Sequence, residues 1–434
     1  MNLRAIRRKT CGRPACFYAG VMMRPARLAY PICSLLSAAA LSLLLSLPVT
    51  AAPTLTVSRE VGLPLQAAKE ALAANRFDAA LAAIDKAAAV PTITAEEKWA
   101  VEQTRAAIFK AQGRFDKAAI AFEAATGLVP LSAADQAGAL ETLSQLWYRA
   151  GDYAKSAAFG EKAMAAGRLS DAFRQMVAEA YFRAKEPGKA GKLAHAIIED
   201  QRKAGRTPSA EVLQLQAASE FGSGNIEGYI KTLKQQLRTD RSKENWLRLF
   251  NAMQQAKPIP EKLDLDWARL RLAANAYENP DSFTEMAQRA MVEELPAEAA
   301  AVLERGWSLG ILGKGPKQDR HERLRDYATK QLAAQKEGLA ARQQEVAAGK
   351  DANAMAKLGM ILVSLGQTDK GIAMMQQALK GKLLSPTVVR LRLGMVQYRV
   401  GQTKAAAQTM AALPPGSDEA RLAEVGALLY PAAN

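Results

Sequence analysis

Cysteine is confined to one end of this chain. All three cysteines, Cys11, Cys16 and Cys33, lie within the first 51 of 434 residues. If that segment is removed, the rest of the chain has no disulfide framework, no thiol nucleophile and no cysteine ligand for a metal. Its stability must then come from packing.

Residues that usually carry chemistry are also scarce. There are two histidines, His195 and His321. We expect His195 near the packed or groove face of a second helix and His321 to be solvated within a charged run, too far apart for a shared metal site. The segment Gly310–Lys314 lacks the glycine spacing of a phosphate loop. Adjacent acids such as Glu293 and Glu294 diverge by about 100° on a helix. We therefore predict a protein that is not an enzyme and binds no cofactor or metal.

The leader has the pattern of a secretory signal peptide. Its first 51 residues carry seven basic side chains and no acid, and an apolar run over 34–48 precedes Val49-Thr50-Ala51-Ala52. We predict cleavage after Ala51 and a periplasmic location, with Met22 or Met23 as an alternative start. An uncleaved anchor helix remains the alternative, although the run is shorter than the ~20 residues that span a bilayer. No other long apolar run predicts a transmembrane segment.

The charge outside the leader is moderate. The formal net charge is +15, and seven basic residues of the leader account for part of it, which leaves +8 for residues 52–434. This charge suits an acidic partner or an anionic surface, but it does not by itself indicate nucleic acid. The export signal also disfavours an intracellular nucleic-acid role.

A short turn pattern recurs along the chain. A small turn residue is followed two positions later by an aromatic or apolar residue and then by an alanine-rich helix. Clear copies start at Asn75, Gly113 and Gly151, weaker ones at Lys185 and Gly224, and two late ones at Gly366 and Gly401. The spacings are 38, 38, 34 and 39 residues in the first half and 35 between the last two.

These segments resemble the tetratricopeptide repeat, whose period is about 34 residues. The resemblance implies an all-α, right-handed α-solenoid of about eight or nine helix–turn–helix pairs. Each pair should have a first helix, a tight turn and a second helix. Small residues let the second helix approach its neighbour: Ala80, Ala118, Ala190, Gly371 and Ala406.

The pattern divides the chain into five parts. Residues 1–51 are the signal peptide, and 60–236 form an N-terminal array. Residues 237–350 hold divergent repeats and a long charged helix, and we expect this helix to break near Gly338. Residues 351–413 form a C-terminal pair, and 414–434 form a capping helix and tail.

The resemblance also implies where a partner would bind, because first helices line a concave groove in this family. The alternative is that the same residues belong to ordinary helix surface or to packing between repeats. The predicted groove residues are Lys110, Gln145, Tyr148, Arg149, Glu179, Phe182, Arg183, Tyr398 and Arg399.

Three functions are compatible with this sequence. The first is a non-catalytic scaffold that binds a protein or peptide partner of an envelope assembly or export system. The second is a binder of an anionic envelope polymer, a polysaccharide or peptidoglycan. The third is an enzyme with a site hidden in residues 237–350. The sequence favours the scaffold and predicts neither the partner's identity nor the oligomeric state.

Overall fold

The structure is a computed structural model that describes residues 57–277 and 279–430. These residues form 21 α-helices and no strand, as the all-α prediction requires. The predicted signal peptide, residues 1–51, lies outside the described residues, as do the last four residues of the tail. No helix in the described part is long and apolar enough to cross a membrane.

The first ten helices form five consecutive pairs, and each helix packs against the next along the chain. The pairs occupy the range predicted for the N-terminal array. Their bounds are α1 (Arg59–Ala73), α2 (Phe77–Ala88), α3 (Ala95–Ala111), α4 (Phe115–Thr126), α5 (Ala133–Ala150), α6 (Tyr153–Ala165), α7 (Asp171–Arg183), α8 (Pro187–Lys203), α9 (Ala210–Gly222) and α10 (Ile226–Gln236).

The predicted turn positions end the first helices. Gly113, Gly151 and Gly224 have φ of 75°, 81° and 75°, in the left-handed region that glycine adopts without a steric penalty. Asn75 and Lys185 take the same conformation, at φ 55° and 64°. The shared geometry explains why the weaker copy at Lys185 still turns the chain tightly.

Local sequence signals also start several helices. Thr94 caps α3 by accepting a hydrogen bond from the Glu97 backbone N–H, and Glu97 bonds back to the Thr94 N–H. Ser132, Ser170 and Ser209 accept equivalent bonds at the starts of α5, α7 and α9. Each such cap stabilises a helix by about 1 kcal/mol.

Alanine sets the spacing between the helices. The predicted small positions are fully buried: Ala80, Ala118, Ala190 and Ala406 each have 0% exposure. Between the helices Ala352–Ser364 and Thr368–Ala378 the approach is closer still, since a Cβ built on Gly371 would lie 2.6 Å from the Gly359 carbonyl oxygen. Small side chains at these positions are therefore required by the packing.

The second half contains four more pairs and three helices outside the pairing. The predicted charged helix breaks at Gly338, into α15 and α16. The bounds are α11 (Lys243–Ala256), α12 (Asp264–Ala273), α13 (Pro280–Val292), α14 (Pro296–Ser308), α15 (Gln318–Glu337), α16 (Leu339–Gly349), α17 (Ala352–Ser364), α18 (Thr368–Ala378), α19 (Pro386–Arg399), α20 (Thr403–Ala411) and α21 (Asp418–Leu429). The described residues thus hold nine pairs, within the predicted number.

The last helix closes the second half into a ring. Besides covering α19 and α20, α21 packs against α12. Lys262 bonds Glu419 at 2.7 Å, and the Arg421 guanidinium donates to the Met253 carbonyl at 3.1 Å. One apolar core joins residues of 230–276 to residues of 388–425. Helices that are distant in the sequence are therefore in contact in this half, because α21 covers apolar surface on α11 and α12.

His321 is buried, not solvated as predicted. Its exposure is 1%, and its ring packs edge-on against Trp307 with centroids 6.4 Å apart. Its Nδ1 accepts a hydrogen bond from the Gly313 N–H at 3.4 Å. The charged run around His321 forms the outer face of α15, whereas His321 faces α14, so composition alone did not reveal its burial.

Candidate partner-binding surface

Four residues occupy one repeat register in consecutive pairs. Lys110, Tyr148, Phe182 and Phe221 each lie three positions before the turn residue of their pair. Phe182 is 36% exposed and Phe221 is 56% exposed, which is unusual for large apolar side chains. We call Tyr148, Phe182 and Phe221 the aromatic ridge.

Arg183 connects two neighbouring pairs beside this ridge. Tyr148 and Tyr153 meet edge to face, with ring centroids 5.5 Å apart. The Arg183 guanidinium lies 5.7 Å from the Tyr148 centroid and 5.1 Å from that of Tyr153, and it donates to the Tyr153 hydroxyl at 2.9 Å. Glu179 accepts from Arg183 Nε at 2.9 Å. The guanidinium is therefore held in one orientation before any partner arrives.

The electrostatics of the cluster keep Tyr148 protonated. Burial, together with a hydrogen bond to Glu179, raises the pKa of the Tyr148 hydroxyl above its ordinary value. The hydroxyl is thus a permanent donor at neutral pH. The sequence predicted Tyr148, Glu179 and Arg183 as groove residues, and the structure brings these three together.

The other two rings of the ridge offer open apolar area. Phe221 packs on Tyr229 with centroids 5.3 Å apart, which fixes the ring while leaving more than half of the residue exposed. The Phe182 ring lies over Gly222, where a built Cβ would be 3.9 Å from the ring. Complete burial of one such ring is worth about 1.5–3 kcal/mol.

A basic flank continues the ridge toward the amino-terminal side. The Arg114 guanidinium lies 4.9 Å from the centroid of Phe109, and that of Arg149 lies 5.5 Å from the centroid of Phe115. Lys110, on the same helix as Phe109, is exposed. These cation–π contacts hold positive charge near the surface.

The remaining predicted residues are placed differently. Gln145 is exposed on α5 and contacts Glu141 at 3.4 Å. Tyr398 is 8% exposed and stacks on Tyr430, with centroids 6.5 Å apart. Its contacts are those of a packing residue. Arg399 is exposed at the end of α19, in the ring-shaped half of the chain.

Phe221 was not among the predicted groove residues, although it is the most exposed ring of the ridge. The signal that identifies it is the register, since Tyr148, Phe182 and Phe221 precede their turn residues by the same three positions. The turn at Gly224 is a weak copy of the pattern, so the sequence did not indicate that Phe221 is equivalent to Phe182. Within the described residues, no group of three or more His, Cys, Asp or Glu side chains could hold a metal ion.

No family model and no curated protein matches this chain. Its helix pairs are tetratricopeptide-like. Among solved structures, it is similar to a tetratricopeptide repeat protein from Parabacteroides merdae, at 12% identity and a TM-score of 0.31, over 63% of this chain and 100% of that chain. The Naa15/Naa10 complex bound to HypK-THB is similar at 14% identity and a TM-score of 0.31, over 84% of this chain and 65% of that one. The P58(IPK) TPR domain is similar at 14% identity and a TM-score of 0.23, over 79% of this chain and 99% of that one.

Proposed function

We propose that this chain is a non-catalytic binding scaffold of the bacterial periplasm. Its partner is a protein or peptide of an envelope assembly or export system, and the aromatic ridge with Arg183 is the contact surface. The observation that carries the proposal is the exposure of Phe182 and Phe221 next to a preorganised Tyr148–Arg183 cluster. The export signal in the sequence supports the location.

The chemistry of the ridge favours a protein partner. Aromatic residues and arginine are enriched at interface hot spots, where one side chain combines a large contact area with polar reach. The helices already hold these side chains in place, so little conformational entropy is lost on binding. The ridge is suited to a segment that presents apolar side chains to Phe182 and Phe221, since Glu179 already compensates the charge of Arg183.

A second candidate is an anionic envelope polymer, which the basic flank around Lys110, Arg114 and Arg149 favours. The two candidates differ in their dependence on salt. Binding through exposed charges weakens strongly between low and high ionic strength, whereas burial of Phe182 and Phe221 does not. An affinity that falls steeply as the salt concentration rises, and that is unchanged when the rings of Phe182 and Phe221 are removed, would support the polymer.

The test is photo-crosslinking in living cells with a benzophenone amino acid at Phe221 or Phe182. The matched control position is Ile120, which is 59% exposed on α4 and outside the ridge. We expect one envelope protein to be captured from the ridge positions and not from position 120. Crosslinks that are equal at all three positions would contradict the proposal.

The same purified sample gives the mature amino terminus. A chain that begins at Ala52 and is recovered from the periplasm supports export. An intact leader on a cytosolic chain would refute the periplasmic setting and would direct the partner search inside the cell.

A further inference from the structure

A cavity that opens to solvent on one side lies between α12, α14, α17 and α19, with Leu422 of α21 in its wall. Its volume is about 580 Å³, within the range of small-molecule sites. It is distinct from the aromatic ridge, which lies on α5, α7 and α9. Binding in this cavity is therefore independent of binding at the ridge.

The cavity walls are largely apolar. Val302 of α14, Val363 of α17 and Val396 of α19 line the cavity, together with Met360 and Met395. Methionine side chains adapt their shape to different ligands. These walls suit a flexible apolar chain better than a rigid polar ring.

The inner end of the cavity carries charges that are already paired. Arg269 of α12 donates to both Glu298 oxygens at 2.7 Å. Arg392 of α19 bonds Asp266 at 3.0 Å and Glu293 at 2.6 Å. These groups satisfy one another, so this end needs no ligand to compensate it.

The outer end carries two further arginines, Arg305 and Arg399. Arg305 donates to the side-chain oxygen of Asn275. Among the described residues, neither arginine has a carboxylate within ion-pair distance. Of the charged residues that line the cavity, four are arginines and two are carboxylates, which gives a formal +2. The uncompensated charge therefore lies at Arg305 and Arg399.

The direction of the helices explains why arginine occupies this end. Arg269 within α12 bonds Glu298 early in α14, and Arg305 late in α14 bonds Asn275 just beyond α12. The two helices therefore run in the same direction and present their carboxyl ends at the mouth. Each helix end carries about half an elementary negative charge, so α12 and α14 together offset only about half of the positive charge of the two arginines. Each guanidinium has five N–H donors, so donors remain for a bound anion.

We propose that this cavity binds a small amphiphilic anion, a single alkyl chain with a terminal carboxylate. The chain would lie among the valines and methionines, and the carboxylate would be bound by Arg305 and Arg399. The cavity has the volume of roughly 19 liquid water molecules at about 30 Å³ each, which suits one alkyl chain rather than a folded segment.

The test uses isothermal titration of the full mature chain with octanoate, decanoate and dodecanoate. We expect one molecule per chain, with affinity rising by up to about fourfold per added CH₂ until the cavity is filled. Decanol, which has the same chain length as decanoate but no charge, should bind more weakly. A lack of saturable binding by any of the three carboxylates overturns the proposal.

Two variants locate the site. Arg305→Gln with Arg399→Gln should weaken decanoate binding by about tenfold and leave decanol unchanged. Ala301→Trp, at an exposed residue of the cavity wall, should abolish binding of both. If that variant fails to fold, as judged by circular dichroism, Ala273→Trp replaces it, since Ala273 is also exposed and lines the cavity.

The control is Arg149→Gln, which removes an exposed arginine outside the ring and should leave decanoate affinity unchanged. Wild-type affinity in both the tryptophan and the double glutamine variants would refute the site. Binding of an apolar peptide with a free carboxyl terminus, without binding of any alkyl carboxylate, would refute the ligand class. Photo-crosslinking of the envelope partner from position 221 in the tryptophan variant tests the scaffold function separately, because this variant changes the cavity and not the ridge.

Discussion

Arg392 on α19 donates from Nε to both carboxylate oxygens of Asp266 on α12, at 3.2 and 3.0 Å, across 126 positions of sequence. Asp266 is 4% exposed and also accepts from Arg269 at 2.6 Å. One buried carboxylate thus binds an arginine of its own helix, α12, and an arginine of α19. The contact connects the beginning of the ring-shaped half to its end.

Loss of this carboxylate should destabilise the ring strongly. Asp266→Asn keeps the shape of the side chain but leaves Arg269 and Arg392 with less compensating charge in a buried site. We expect a loss of about 3–5 kcal/mol in the free energy of unfolding, measured with urea. The control is Glu304→Gln, which breaks the exposed pair with Arg325 and should cost less than about 1 kcal/mol. Equal urea concentrations at the unfolding midpoints of the two variants would contradict the prediction.

Shortening a buried side chain of α21 should destabilise α11 and α12, which lie far away in the sequence. Leu422 is 0% exposed in the core shared with α11 and α12, and Leu422→Ala should cost about 2–5 kcal/mol. Hydrogen exchange should then accelerate in residues 243–273. Ile197→Ala, at an equally buried residue of α8, should accelerate exchange around α8 instead. Unchanged protection of residues 243–273 in the Leu422 variant would argue against ring closure.

Two glycine substitutions should have opposite signs. Gly371→Ala gains helix propensity, but its Cβ would meet the Gly359 carbonyl oxygen at 2.6 Å, so we expect a net loss of about 1–3 kcal/mol. Gly188→Ala in α8 meets nothing within 4 Å and should stabilise the chain by about 0.4–1 kcal/mol. Thermal unfolding of the two variants beside the wild type provides the comparison. A stabilised Gly371 variant would show that the close approach of α17 and α18 is not a constraint.

The turns and small positions could be predicted from sequence because they depend on local backbone geometry. A residue at positive φ follows each first helix except α11, and a residue without a bulky side chain lies where two helices approach. Gly338 ends α15 at φ −80°, so that break follows from the low helix propensity of glycine and not from a left-handed turn. The burial of His321 could not be predicted from local sequence, because the ring it packs against, Trp307, belongs to another helix. The pairing of Asp266 with Arg392 could not be predicted either, since the two residues are 126 positions apart and no short pattern connects them. At the candidate surface, Tyr148, Glu179 and Arg183 were predicted individually, while their contact depends on how α5 packs beside α7.

Asp171 should make stability depend on pH in the acidic range. Hydrogen bonds from Arg174, Gln201 and Arg206 lower the pKa of Asp171 from 3.8 to about 2. Because the folded-state pKa is the lower one, this stabilisation is present above pH ~4 and is lost as the pH falls toward 2. Asp171→Asn should therefore be less stable than wild type at pH 6 by about 1 kcal/mol, with the difference shrinking by pH 3.

The control for this pH series is Asp116→Asn, at an exposed acid in the first turn of α4. Urea unfolding of both variants and wild type at each pH measures the difference directly. A stability difference for the Asp171 variant that stays constant between pH 6 and pH 3 would be inconsistent with the ion-pair origin of its pKa.

Closure of the ring by α21 also determines the order in which the chain can acquire structure. Each of the first five helix pairs packs on its immediate neighbour, so this half can fold progressively as it emerges from a ribosome or an export pore. The core around Trp246 and Phe250 is different, because Leu422 and Val425 complete it. Contacts of such long sequence separation form slowly. The second half must therefore remain incomplete, with apolar surface open to chaperones, until α21 has been delivered.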